Sequence, residues 1–259
     1  MHCVRNMSDI DAGGLDIETT EDALLDGRIT LRQPAGGYRS AIDPVLLAAA
    51  VPAKPGEHVL DLGCGIGAAA LALAARLPEV RITGLERDPG LARLCTQNIA
   101  ANAMADRVAA LAGDLLDPPA EIAAGAFDHV MANPPYLEPG RADLSPDPGR
   151  RAANAEGDAA LGDWIAAALA AAKRRGWVTF IHRADRLDAL ITALDGRAGG
   201  ITILPLWPRA GAPAKRVILR ARKGVGTPTT LLPGLVLHEG ERYTAAAEAV
   251  LRDAAALGG

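Results

Sequence analysis

Cysteine is scarce in this 259-residue chain, with only Cys3, Cys64 and Cys95, and their positions show no metal-ligand spacing. No disulfide framework is expected, and neither is a metal; so few thiols suit a reducing compartment. No apolar run approaches the roughly 20 residues that a membrane-spanning helix needs, and no signal-peptide pattern opens the chain. A cytoplasmic protein is therefore expected. Internal repeats and low-complexity tracts are missing as well. A chain of this size buries about three quarters of its unfolded surface, enough for a core that needs no staples.

Charge is present but unevenly shared. The net charge is −4, yet residues 129–225 carry 15 Lys and Arg against 9 Asp and Glu, while the rest of the chain carries 12 against 22. The basic side chains gather as Arg141, Arg150 and Arg151, as Lys173, Arg174 and Arg175, and as Lys215, Arg216, Arg220, Arg222 and Lys223. The second group reads as a helix end, where cations suit the dipole. The third interleaves with Val217, Ile218 and Leu219 on a strand-like run. A basic half on an acidic protein favours a polyanionic substrate, with Arg141, Arg150, Arg151, Lys215 and Arg216 as the candidate contacts.

Organisation follows from periodicity and punctuation. Residues 1–22 read as a loose tail. Residues 23–57 form a small extension: a hairpin with a strand over 28–33, a turn at 34–37 and a return through Tyr38 and Arg39, then a helix over 45–51. Asp43-Pro44 reads as an N-cap with proline at the first helical position, and Asp88-Pro89 repeats it. From residue 58 to 259, strands at 58–63, 80–86, 108–113, 127–132, 176–183, 200–206 and 214–222 mostly alternate with helices at 67–77, 89–102, 159–175 and 185–195. That pattern predicts an α/β domain with a seven-stranded, mostly parallel sheet and helices on both faces. Residues 137–157, rich in Pro and Gly, read as a lid or substrate loop. Beyond residue 223, a strand within 231–237 and a helix over 245–257 are expected.

Two motifs carry chemistry. In the first, an apolar run reaches Asp61-Leu62-Gly63-Cys64-Gly65-Ile66-Gly67 and flows into a helix, as in the first β-α turn of a nucleotide-binding unit. The next strand ends in Glu86, where a carboxylate can take both hydroxyls of a ribose, and the third ends in Asp114, placed to meet a base. Gly63, Gly65 and Ala68 also fit a dinucleotide fingerprint, so NAD is an alternative. Asp61 argues against it, because a carboxylate there would repel a pyrophosphate but could pair with an ammonium. The second motif is Asn133-Pro134-Pro135-Tyr136 at the end of a strand. The prolines fix φ and remove donors, leaving free carbonyls beside a carboxamide oxygen and an aromatic face. Such a set suits a planar ligand with an exocyclic NH2, though an ordinary turn with a buried tyrosine would read the same locally.

The two motifs in this order resemble the class I S-adenosylmethionine-dependent methyltransferases, whose fold is Rossmann-like, and within them the branch that methylates amino groups. The run Gly37-Tyr38-Arg39-Ser40-Ala41-Ile42-Asp43-Pro44 is similar to the segment that closes over the methionine end of the cofactor in small-domain RNA methyltransferases. With Asn133-Pro134-Pro135-Tyr136 it resembles the bacterial family containing the tRNA1(Val) adenine-N6-methyltransferase. The resemblance implies a cofactor shell of Tyr38, Ile42, Asp61, Gly63, Cys64, Gly65, Glu86, Arg87, Asp114, Leu115 and Asn133. It implies a catalytic set of Asn133, Pro134, Pro135 and Tyr136, with Tyr136 stacking on the presented base, and RNA, namely tRNA, as substrate. Leu137 follows the motif where some relatives carry a second aromatic. Three alternatives stand beside adenine N6: a protein-glutamine N5-methyltransferase, which uses the same tetrapeptide; another RNA base amine, as in rRNA; and a non-catalytic RNA-binding module.

Overall fold

The computed structural model describes residues 18–36, 42–136 and 159–257. Strands β3 (His58–Leu62), β4 (Arg81–Glu86), β5 (Val108–Ala112), β6 (Phe127–Ala132) and β7 (Ala172–Arg183) run parallel, while β9 (Arg216–Lys223) lies antiparallel between β7 and β8 (Ala198–Arg209). Their order is β5-β4-β3-β6-β7-β9-β8. Helices α1 (Asp43–Ala50), α2 (Ala68–Arg76), α3 (Pro89–Ala101) and α6 (Ala245–Asp253) share one hydrophobic cluster; α4 (Leu161–Ala171) and α5 (Leu187–Leu194) share the other. Strand β3 shows how the pleat divides them: Val59 enters the first cluster, Leu60 and Leu62 the second. Among the described residues no helix is long and apolar enough to cross a membrane.

Among the described residues the sheet has ten strands rather than seven. β8 would otherwise present unpaired backbone groups along an open edge. The C-terminal segment covers that edge with β10 (Thr230–Leu231) and β11 (Leu235–Glu239), and β12 (Arg242–Tyr243) pairs with β11. The helix expected over 159–175 stops at Ala171, because Ala172 already pairs with Phe127 and a register shift between Phe127 and His129 absorbs the basic residues that follow. Lys173 consequently reaches Asp128 at 2.6 Å instead of ending a helix.

The N-terminal hairpin exists, but its turn lies elsewhere. β1 (Thr19–Leu24) pairs with β2 (Ile29–Pro34), so part of the stretch read as tail is strand, and the chain reverses at 25–28 rather than 34–37. Leu25, Asp26 and Gly27 all adopt positive φ there, the twist that tight hairpins require and that Asp-Gly favours. Two asparagines one turn apart, Asn98 on α3 and Asn102 at its C-cap, dock this hairpin. The Asn98 amide accepts from the Arg32 N–H and donates to the Arg32 carbonyl, while Asn102 does the same with Thr30. Each side chain thus imitates a partner strand on the edge of β2 that does not face β1. Asn98 also donates to the Ile66 carbonyl in the glycine loop, joining the hairpin to the site below.

Candidate active site

The carboxyl ends of the parallel strands form one edge, where ligands of such sheets bind. After β3 the chain turns through Gly63, Gly65 and Gly67, all at positive φ. A side chain at Gly63 would strike the Trp164 ring at 2.4 Å, so that turn must be glycine to pack. At Gly65 the direction of a side chain is open, with nothing within 4 Å. The glycine there leaves a cradle for a ligand instead of a contact within the protein. Within the turn the Cys64 side chain is buried beside Cys95, which with burial pushes its thiol pKa up.

The acidic residues divide their work. Glu86 accepts from the Gly65 N–H at 2.8 Å and from the Asp88 N–H at 2.9 Å, which aims the carboxylate at the cradle. Asp61 is 2% exposed, and its Oδ2 has no hydrogen-bond partner among the described residues. Burial pushes its pKa up to about 7, opposed by the Ala70 backbone N–H and helped by the Glu86 charge. A buried, half-satisfied carboxylate is costly unless a cation meets it. These features fit S-adenosylmethionine, with an ammonium for Asp61 and a ribose for Glu86. Asp114 is partly spent on its own turn, accepting from the Leu116 N–H at 2.9 Å. Leu115 packs on the second core cluster and Ile42 on the first, while Arg87 is exposed. Tyr38, Arg141, Arg150, Arg151 and the expected lid lie outside the described residues.

Asn133, Pro134, Pro135 and Tyr136 follow β6 directly, on the same edge. The Tyr136 hydroxyl lies 2.5 Å from Asp43 Oδ2 and 2.9 Å from Asn133 Oδ1. Arg216 Nε reaches the same Asp43 oxygen at 3.0 Å, and its guanidinium sits 4.7 Å from the centroid of the Tyr136 ring. Asp43 is therefore not the cap expected from Asp43-Pro44. It is the first helical residue, Ile42 stands at the cap position, and among the described residues no side chain caps α1. Asp88 at the matching dipeptide does cap, accepting from the Gly90 and Leu91 N–H groups. Arg216 is likewise not simply a surface cation: burial opposes its charge, but Asp43 outweighs that and holds its pKa above the usual value.

Comparison with known proteins agrees with this geometry. Residues 40–145 match the family model of the methyltransferase small domain. The chain is 31% identical over 181 residues to a tRNA1(Val) (adenine(37)-N6)-methyltransferase of Actinobacillus pleuropneumoniae, covering 68% of this chain and 73% of that protein. A protein of the same name from Porphyromonas gingivalis is 34% identical, over 63% of this chain and 66% of its own length. The chain belongs to this methyltransferase family. Over the first of these relatives it spans between half and two thirds of their length. Among solved structures, a predicted O-methyltransferase from Agrobacterium tumefaciens is 28% identical, with a TM-score of 0.69 over 83% of this chain and 98% of that one.

Three side chains take partners at this edge that a linear reading does not give, although the sequence already singles out Asp43 as a cap and Arg216 as a substrate contact. Asp43 and Arg216 are separated by 173 positions, and nothing local pairs them. His182 on β7 is the third. Its ring meets Tyr136 at 5.3 Å, edge to face, and neither ring nitrogen makes a well-formed hydrogen bond among the described residues. Burial, with the Arg186 charge next, lowers its pKa to about 4, so it is neutral under Tyr136 at pH 7. Lys215 is exposed at the active edge, just before β9. Its neighbours in sequence point elsewhere: Arg220 donates to the Ala50 carbonyl, Arg222 covers Trp177 and Lys223 donates to the Ala172 carbonyl.

Proposed function

We propose that this methyltransferase is an S-adenosylmethionine-dependent N-methyltransferase acting on an exocyclic amino group, namely adenine N6 of a cytoplasmic tRNA. The carrying observation is that Asn133-Pro134-Pro135-Tyr136 and the open Gly65 cradle share one sheet edge. When bound, S-adenosylmethionine supplies an activated methyl on a sulfonium. Asp61 holds the ammonium of that molecule, the loop 63–67 gives it room, and Glu86 accepts from its ribose hydroxyls. Asn133 Oδ1 and the Pro134 carbonyl accept the two hydrogens of the target NH2. That double acceptance fixes the amine's plane and turns its lone pair away from both oxygens, so positioning supplies the rate. A hydroxyl would offer one hydrogen to two acceptors, which disfavours O-methylation despite the name of the Agrobacterium neighbour.

The names of the relatives, and the basic residues of this half of the chain, support tRNA over a protein glutamine. Lys215 and Arg216 are proposed on the RNA side, with Arg141, Arg150 and Arg151; for Arg216 the bond to Asp43 leaves only part of the guanidinium for a phosphate. A structured RNA must splay its adenine to reach such a site. The test is transfer of labelled methyl from the cofactor to total tRNA, rRNA and a release factor, followed by nucleoside digestion. N6-methyladenosine in the tRNA digest is expected. Label on glutamine, or on rRNA alone, would replace this reading by the corresponding alternative.

A further inference from the structure

Asp43, Asn133, Tyr136 and Arg216 come from the first turn of α1, the end of β6 and the start of β9, yet they meet around one hydroxyl. A phenol has a single proton. Two oxygens lie within reach of it, Asp43 Oδ2 at 2.5 Å and Asn133 Oδ1 at 2.9 Å. A hydrogen bond to a charged acceptor is about twice as strong as one to a neutral amide, so the Tyr136 hydroxyl donates to Asp43. The Tyr136 oxygen then turns a lone pair toward Asn133, where an amide oxygen would be repelled. Rotating the carboxamide by half a turn replaces that oxygen with NH2 at nearly the same atomic positions, and hydrogen bonding decides between the two. In that state Asn133 donates to Tyr136, and its own oxygen faces away from the phenol.

We propose that Asp43 and Arg216 are positioning residues that act through the Tyr136 hydroxyl to fix which end of the Asn133 amide meets the target amine. The proposal rests on Asn133 being the acceptor for a target NH2. An amide turned the other way would oppose one donor with another and block the productive pose. The parts around it keep the device stiff. Asp43 is 6% exposed, and every residue of α1 is buried. The far end of that helix is pinned by Arg76, which donates to the Ala48 carbonyl at 2.8 Å and also to Val51, and by Arg220 at the Ala50 carbonyl. Arg216 holds Asp43 by its Nε and holds the ring plane of Tyr136 through its guanidinium.

The test compares Asp43→Asn, Tyr136→Phe and the double variant in single-turnover transfer, with RNA KM, cofactor Kd and Tm measured on the same preparations. Each single variant is expected to slow transfer tenfold or more while KM and Kd stay within twofold. The double variant should be no slower than Tyr136→Phe, because without the hydroxyl Asp43 has nothing to act through. A second readout needs neither cofactor nor RNA. The side-chain NH2 resonance of Asn133, identified by its loss in Asn133→Ala, should shift in both single variants of the ligand-free protein. Wild-type transfer in Asp43→Asn, multiplicative losses in the double variant, or an unmoved Asn133 resonance would overturn the proposal. If the wild-type protein methylates no amine, the function proposed above fails, and the resonance still decides whether Asp43 orients the amide.

Discussion

The Glu86 carboxylate accepts the Gly65 backbone N–H at 2.8 Å, so the residue expected to hold a ribose also holds the loop expected to cradle the cofactor. Glu86→Ala should weaken S-adenosylmethionine binding at least tenfold, read by calorimetry. It should also lower Tm by a few degrees, because the Gly65 and Asp88 N–H groups lose their partner. Glu86→Gln keeps an acceptor and should fall between the two. Unchanged affinity in the alanine variant would leave Glu86 as a brace for the loop alone.

Asp61 is expected to tie cofactor affinity to pH. Burial keeps it protonated below about pH 7 in the free protein, whereas pairing with an ammonium needs the carboxylate. Affinity should therefore fall as pH drops below 7, approaching about tenfold per unit, with proton release on binding. The sign for folding is opposite. The folded state keeps a proton that the unfolded chain gives up from about pH 4 to 7, so stability of the free protein declines as pH rises through that window. Calorimetry in buffers of different ionisation enthalpy checks the first effect. Asp61→Asn should abolish it, and an identical pH profile in that variant would move the cause elsewhere.

Asn98 is fully buried and makes three hydrogen bonds, two to Arg32 and one to Ile66. Asn98→Ala leaves those backbone groups without partners and should cost about 3 kcal/mol or more. Urea denaturation measures it. Proteolysis should cut first in the released hairpin, and equal resistance in both proteins would mean that apolar packing alone docks it.

The basic strand β9 should act at one end only. Lys215→Ala is expected to raise the RNA KM and flatten its salt dependence by about one unit of slope. Arg222→Ala should leave the slope alone, because that guanidinium lies over Trp177 at the opposite end of the strand. Equal slopes in the two variants would make Lys215 an ordinary solvated charge.

Much of this was written in the sequence because it depends on near neighbours. The alternation of strands and helices, the glycine turn after β3, the cap at Asp88 and the position of Asn133 after β6 all follow from contacts within a few residues. Period and turn chemistry carry such information along the chain. Asp43-Pro44 and Asp88-Pro89 mark where that ends. The same dipeptide caps α3 and does not cap α1, because Tyr136 and Arg216, 93 and 173 positions away, take the first carboxylate. Ion pairing over such separations leaves no periodic trace. The same holds for the asparagine clamp on β2, for the fate of Arg220 and Arg222, and for the pairing with β8 of the strand expected within 231–237. Sequence determined which chemistry the chain can offer and at which edge of the sheet. Tertiary structure decided which charges are spent on one another, since only packing brings distant side chains within hydrogen-bond reach.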